Sequence, residues 1–245
     1  MHSTTKMTTT LTLPNRDPIA YESAKRKDFD VIRRIAHAAE TENFRKVLQQ
    51  HEKDIIAITK HHLRLGPLDT CQVQPQWITS GFNLYIPIQV TGSFNKRLLL
   101  RCPLPHMHAE PYYPGTVDEN MRGEVSAYAW MQESCPNIRI PHLYGFGFSN
   151  NTDFTHKSRV RIHVRLWRGI RRALYRILRC PTLAHFAPNP LRHDLPTAYI
   201  VMEYVGSEVG QTLSDTWDQQ RQDSIYLETL CRSMARIMLA LSRVP

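Results

Sequence analysis

The chain has 245 residues and carries 31 lysines and arginines against 22 aspartates and glutamates, a formal net charge of +9. With 42% apolar residues and a mean hydropathy of −0.40, its composition is that of a globular protein and excludes a collagen-like or fully disordered chain. No run of about 18 apolar residues is present, so the sequence predicts no membrane-spanning helix.

The basic charge is concentrated in one segment. Residues 157–179 contain nine lysines and arginines and no acid, and the rest of the chain holds 22 basic and 22 acidic residues. A basic surface is typical of proteins that bind a nucleic acid or an anionic membrane. Here the excess is a local feature and does not describe the whole surface.

The cysteines and the N-terminus bear on the compartment. The five cysteines are odd in number and never form a CxxC pair, which favours a reducing compartment, the cytoplasm, and argues against structural zinc. Residues 1–18 are expected to be disordered, because they are rich in Ser and Thr and lack the apolar core of a secretory signal. No acid precedes Asp17, which leaves a mitochondrial presequence as the weaker alternative.

Residues 19–70 are predicted to form an N-terminal helical extension. Helical spacing is found over residues 29–39 and 42–63, and Gly66-Pro67 ends the second helix. His51 and His62 fall near its apolar face. They are interpreted as core or partly exposed histidines, because no third ligand lies at metal spacing.

The next segment has a sequence pattern typical of strands and turns. Residues 77–79 and 84–90 are predicted strands around a turn that contains Gly81, and residues 97–102 form a third strand after the turn at residues 92–95. His106 and His108 follow in a loop, either as metal ligands or, as we prefer, as ordinary surface histidines.

Further elements complete the prediction. A helix is expected over residues 118–133, strands over 143–147 and 198–202, and a last helix over 218–241 whose apolar stripe is partly uncovered. Strands joined by short turns favour an antiparallel sheet with helices packed on it. The predicted fold class is therefore α+β.

Five short motifs follow one another in this part of the chain. They are SGFNLY at residues 80–85, LLRCP at 99–103, RGEVSAYAW at 122–130, IPHLYGFG at 140–147 and YIVMEY at 199–204. In this order they resemble the aminoglycoside phosphotransferase and choline kinase branch of the protein-kinase-like fold, and within it the fungal phosphotransferase-family proteins. The resemblance covers Trp77 to Tyr204, the N-terminal portion of the fold.

The resemblance implies a domain organisation. Residues 71–205 correspond to a kinase-like N-terminal lobe, an antiparallel sheet with one packed helix, which carries a basic insert at residues 149–197. Residues 206–245 correspond to the hinge and the first helix of a C-terminal lobe. The two helices before the sheet are the usual extension in the fungal proteins.

The resemblance also implies site residues for ATP. The turn at Gly81 and Asn83 would bring backbone N–H groups to the phosphates, since glycine lacks a side chain. Arg101 matches the cation that reaches the α- and β-phosphates, and Glu124 matches the acid that holds that cation. The plainer alternatives are a hairpin turn, an arginine that caps a strand and a glutamate on a solvated helix face.

The hinge is implied at Glu203 and Val205, whose backbone groups would face the adenine; apolar strand residues there would also suit a core. The reaction implied by the family is transfer of a phosphoryl group from Mg-ATP to a hydroxyl of a small molecule. In this family a His-x-Asp loop, a downstream Asn and a later Asp supply the catalytic base and the metal ligands.

Those segments lie beyond the helix that follows the hinge, and after Tyr204 this sequence contains no His and no Asn. Arg192-His193-Asp194 precedes the hinge strand, on the wrong side of the cleft, and is interpreted as an ordinary loop. The chain by itself is therefore expected to bind Mg-ATP weakly or not at all and to lack kinase activity, which leaves its status as an enzyme open.

The basic insert has its own pattern. Residues 159–166 alternate with a period of two, which predicts a strand, and helical spacing begins at Trp167. One predicted helix face carries Trp167, Ile170, Leu174, Ile177 and Leu178, and another carries Arg168, Arg172, Arg176 and Arg179. We expect the apolar face to pack on the domain and the arginines to face water.

Two alternatives remain for the insert. In the first, the arginines recruit an anionic partner, a membrane surface or a nucleic acid, and the protein is a non-catalytic binding module. In the second, they contact the substrate.

Overall fold

The computed structural model describes residues 10–11, 19–25, 31–179 and 184–243. The chain divides into two compact units, residues 1–50 (unit 1) and residues 51–245 (unit 2). Of the predicted disordered segment, residues 1–18, all but Thr10 and Leu11 lie outside the described residues.

The described residues of unit 1 form a short strand pair and two helices. Strands β1 (Thr10–Leu11) and β2 (Ile19–Ala20) pair antiparallel, and α1 (Tyr21–Lys25) and α2 (Val31–Gln50) follow. The predicted helix break near residue 40 is wrong, because α2 continues to Gln50. Thr41 is accommodated inside the helix, where its hydroxyl donates to the His37 carbonyl over 2.7 Å.

Unit 2 begins with α3 (Glu52–Leu63) and contains an antiparallel sheet. Its strands are β3 (Thr70–Val73), β4 (Ile78–Thr79), β5 (Asn83–Thr91), β6 (Lys96–Pro103), β7 (Leu143–Gly147), β8 (Asp153–His156), β9 (Phe186–Pro188) and β10 (Tyr199–Glu203). Their order across the sheet is β3-β5-β6-β10-β7-β8-β9, and β4 also pairs with β5. The predicted α+β fold class is confirmed. The longer strands, β5, β6, β7 and β10, lie where the sequence predicts them.

The central strands are buried because helices cover the sheet. Along β5, Leu84, Ile86, Ile88 and Val90 are fully buried, and the residues between them are half-buried. On the other face, α4 (Thr116–Ser134) contributes Val117, Met121 and Val125 to a cluster with strand residues that include Leu143, Phe146, Ile200 and Met202. This alternation fixes which β6 residues point toward α4.

Helix α3 is joined to the sheet by a buried polar network. The His62 ring lies against Gly145, where a Cβ atom would stand 2.3 Å from Nδ1, so only glycine fits. His62 Nε2 lies 2.9 Å from the Tyr199 hydroxyl, which donates to Asp153 over 2.8 Å. Of the two possibilities expected for His62, a core or a partly exposed histidine, the structure shows the core histidine.

The same network includes the loop that contains Arg192-His193-Asp194. His193 is buried, and its Nε2 lies 3.5 Å from Asp153 Oδ1. This histidine therefore helps to fasten the loop before β10 to the sheet.

The remaining helices are α5 (Ile162–Ile177), α6 (Leu213–Gln220) and α7 (Ser224–Ser242), besides a 3-10 helix at Pro105–His108. The predicted helix over residues 218–241 is split, because Asp223 caps α7 by accepting from Ile225 N–H over 2.9 Å. The α7 stripe is exposed at Met234, Ile237 and Met238, as expected. No helix among the described residues is long and apolar enough to cross a membrane.

Candidate functional site

Arg101 and Glu124 form an ion pair between the sheet and α4. Arg101 lies on β6, directly opposite Tyr85 of β5, and Glu124 lies in the middle of α4. Both terminal nitrogens of the guanidinium donate to the two carboxylate oxygens. The structure thus brings together the cation and the acid that the resemblance pairs.

The ion pair is largely buried on the arginine side. The Arg101 side chain is 7% exposed and that of Glu124 is 40% exposed. Burial disfavours the charged arginine, but the hydrogen bonds and charge of Glu124 outweigh it, so the pKa of Arg101 is raised. Within the described part of the chain, Arg101 Nε is buried and has no hydrogen-bond partner. A buried unpaired donor costs about 1–3 kcal/mol.

Gly81 lies in the turn between β4 and β5, at the end of the sheet where Asn83 pairs with Pro103. Ser80 N–H closes the turn by donating to the Asn83 carbonyl over 2.9 Å. A Cβ atom at Gly81 would meet nothing within 4 Å, and its φ is not positive. The fold therefore does not require glycine here, and the space beside the turn is open.

The turn at Gly92, by contrast, requires a glycine for structural reasons. Gly92 has φ 120°, and a Cβ atom there would stand 2.3 Å from Asp69 Oδ1. Neither a packing contact nor a positive φ explains the glycine at position 81. Close approach of a ligand to the turn is then one physical reason for Gly81.

The implied hinge lies toward the other end of β6. Glu203 pairs with Leu98, three residues from Arg101 and thus about 10 Å away at the rise of a strand. Its carboxylate lies 3.4 Å from Lys96 Nζ, and its N–H donates to the His142 carbonyl over 2.9 Å. Val205 is about half exposed, and among the described residues its N–H makes no hydrogen bond.

Asn83 shares the strand face of Tyr85 and Arg101, because these positions alternate with buried Leu84. The six predicted residues therefore form two groups. Gly81, Asn83, Arg101 and Glu124 lie toward one end of the sheet, and Glu203 and Val205 lie toward the other.

The loop histidines are held by ordinary contacts. His108 Nδ1 lies 3.1 Å from Asn120 Nδ2, and its ring centroid lies 5.8 Å from that of Phe82. In the described ranges no three His, Cys, Asp or Glu side chains are grouped so that they could hold a metal ion.

The insert departs from its prediction in two ways. Residues 159–166 do not form a strand, because α5 begins at Ile162 after Arg161 in an extended conformation. The expectation that the apolar face packs inward is also wrong. Arg168 donates to the carbonyls of Ala184 and Phe186, and Arg172 lies 3.4 Å from Glu133 of α4.

The inward side of α5 bounds a cleft of about 430 Å³. It is lined by Lys157, Ser158, Arg165, Arg168, Gly169, Arg172, Ala184 and His185. The sequence pattern did not predict that Arg168 and Arg172 turn inward, because the oxygen atoms that hold them belong to distant segments.

The chain matches no protein-family model, no curated protein and no solved structure. Its function therefore has to be inferred from the geometry of Arg101 and its neighbours and from that of the insert.

Proposed function

We propose that unit 2 is the phosphate-binding half of a nucleotide cleft, in a kinase-like protein of the aminoglycoside phosphotransferase type. The observation that carries this proposal is the ion pair of Arg101 with Glu124. A buried arginine held by both carboxylate oxygens, with one hydrogen left on each terminal nitrogen, is suited to phosphate oxygens.

The remaining residues fit a nucleotide laid along β6. A guanidinium has five N–H groups, and Glu124 takes two of them, which leaves the Nε hydrogen and one hydrogen on each terminal nitrogen. The amides of the open turn at Gly81 would approach the same phosphates. Val205 would offer its free N–H to the adenine, near the other end of the strand.

The role of each residue in phosphoryl transfer is electrostatic. Bound Mg-ATP would supply the phosphoryl group and a metal ion that offsets the negative charge of the phosphates. Arg101 would hold the α- and β-phosphates in place, and Glu124 would keep the guanidinium charged and oriented. The acceptor would be a hydroxyl of a small molecule, as the resemblance implies.

The chain supplies this half of the cleft without a His-x-Asp loop after Tyr204. We therefore expect weak Mg-ATP binding and no phosphoryl transfer from the chain by itself. Transfer would need the catalytic Asp and the metal ligands that the family carries in its C-terminal lobe.

Saturation-transfer difference NMR suits a weak ligand and tests the proposal. Mg-ATP should give a signal with the wild-type chain, and Arg101→Met should reduce it by roughly tenfold or more, because charge-assisted hydrogen bonds are lost. Arg122→Met removes an exposed arginine two residues from Glu124 on the same helix and is the matched control. An equal signal from wild type and R101M would refute the proposal.

A second candidate is a non-catalytic module that contacts an anionic partner through the insert. The outward apolar face of α5 favours it. The two candidates depend on different residues, so each can fail without the other.

A further inference from the structure

Helix α5 turns its apolar side chains to the solvent. Seven of them are at least half exposed, from 50% at Leu174 to 77% at Ile177. They are Ile162, Leu166, Trp167, Ile170, Leu174, Ile177 and, just after the helix, Leu178. No described residue of α5 is buried, so nothing in the described part of the chain covers this face.

The opposite side of α5 holds the helix to unit 2. Arg168 donates to two backbone carbonyls, and Arg172 pairs with Glu133. Val164 and Tyr175 on this side are half-buried. Because polar contacts fix the inner side, the orientation that leaves the apolar face outward is built into the fold.

The outward face is bordered by positive charge. The helix contains five arginines and no acid. At about 100° per residue, Arg171 lies at one border of the apolar face and Arg176 lies beyond the other, whereas Arg165 lines the inward cleft. An apolar face rich in Leu, Ile and Trp between arginines is the arrangement of helices that lie in a lipid interface. The apolar side chains enter the acyl boundary, and the guanidinium groups reach the headgroups.

We infer that α5 docks this protein on an anionic lipid surface, with its axis in the plane of the interface. Leu166, Ile170 and Leu174 would enter the lipid, and Trp167 would lie at the boundary. This inference is independent of the nucleotide cleft.

The apolar face also decides between the two anionic partners. A nucleic acid would be held by the guanidinium groups and would leave seven apolar side chains in water. Of the four arginines first considered for an anionic partner, Arg168 and Arg172 already bind oxygen atoms of the protein. The headgroup contacts therefore fall to Arg171 and Arg176, since Arg165 lines the inward cleft.

Sedimentation of the full chain with vesicles tests the inference. The chain should bind phosphatidylcholine vesicles that contain phosphatidylserine, and less so those without it. Replacing both Leu166 and Ile170 by Glu should lower the partition coefficient by at least about tenfold. Arg171→Gln and Arg176→Gln should each lower it roughly fivefold.

Leu68→Glu is the matched control, because Leu68 is 92% exposed and lies far from α5 in the sequence. It should leave binding unchanged. Trp167 also provides a direct signal, since its fluorescence should shift to the blue on binding and W167F should remove the shift. The L166E/I170E variant should melt at the wild-type temperature, since both side chains are exposed; if it does not fold, L166S/I177S replaces it.

Three results would overturn the inference. The first is no binding to phosphatidylserine vesicles, and the second is equal binding of the L166E/I170E and wild-type chains. The third is a dimer without vesicle affinity that L166E/I170E dissociates, which would show that a second copy covers the face. Binding of an RNA oligonucleotide that depends on the arginines and not on Leu166 or Ile170, without vesicle binding, would also replace lipid by nucleic acid.

Discussion

The Tyr199 hydroxyl lies 2.9 Å from Nε2 of His62 and thereby joins α3 to a central strand of the sheet. The same hydroxyl donates to Asp153, so it must accept from His62, and Nε2 of His62 carries the proton. His62 Nδ1 then accepts from the Thr155 hydroxyl over 2.7 Å. Every member of this buried network is satisfied, which is the condition under which polar groups stabilise a core.

Tyr199→Phe should destabilise unit 2. It leaves the His62 donor and one Asp153 oxygen without this partner, at roughly 1–3 kcal/mol each. Urea denaturation measures the loss. Tyr112→Phe, at an exposed tyrosine, should leave the free energy of unfolding within about 0.5 kcal/mol of wild type. A Y199F variant as stable as Y112F would show that the network does not contribute.

Stability should fall as the pH is lowered from about 6.5 toward 3. Burial lowers the pKa of His62 to about 3, so it stays neutral in the folded chain while the unfolded chain takes up a proton near pH 6.5. Between these values the unfolded state binds more protons, which costs about 1.4 kcal/mol per pH unit for this group. Burial of His156, whose pKa is lowered to about 4, acts in the same direction.

Urea denaturation between pH 7 and pH 4 checks this dependence. His62→Gln should be less stable than wild type at pH 7 but should lose less stability on acidification. A wild-type free energy of unfolding that is constant across this range would contradict the assignment of a neutral, buried His62.

Gly145→Ala should destabilise the chain, whereas Gly81→Ala should leave its stability nearly unchanged. At Gly145 the added methyl group would overlap the His62 ring, and overpacking of a core costs about 1–3 kcal/mol. At Gly81 the methyl group would point into open space, so stability should change by less than about 0.5 kcal/mol. Thermal unfolding of both variants measures the contrast, and equal destabilisation would mean that the turn at Gly81 is packed.

Glu124→Gln should destabilise the chain, because Arg101 would keep its charge in a buried position without a carboxylate. Glu124 is 40% exposed, so we expect a loss of about 1–3 kcal/mol, less than for a fully buried pair. Glu119→Gln, at an exposed position of the same helix, is the control. Equal stability of E124Q and E119Q in urea would show that the ion pair contributes nothing.

Much of the sheet could be predicted from local patterns. Strands β5, β6, β7 and β10 have alternating or continuous apolar residues between clear turn signals. Strands β3, β8 and β9 have only three or four residues, too few for a periodic signal. The motif order placed Arg101 and Glu124 on facing elements, and their contact follows from that placement.

Other long-range contacts could not be predicted from the sequence. The amphipathic pattern of α5 shows that it has two faces, but not which of them turns inward. That choice depends on Glu133 and on carbonyls near Ala184, which lie outside the helix. The partners of His62 at positions 155 and 199 are likewise distant in sequence, and the unpaired Arg101 Nε depends on side-chain geometry alone.

The side-chain Nε–H resonance of Arg101 in a ¹⁵N-correlated NMR spectrum gives the most direct test of the nucleotide cleft. Arg101→Met identifies this signal by its disappearance. Titration with Mg-ATP should shift it together with the amides of the Gly81 turn, because phosphate oxygens beside the guanidinium change the electrostatic environment of this N–H. An Arg101 Nε–H signal that stays unchanged throughout the titration would contradict the proposed phosphate site.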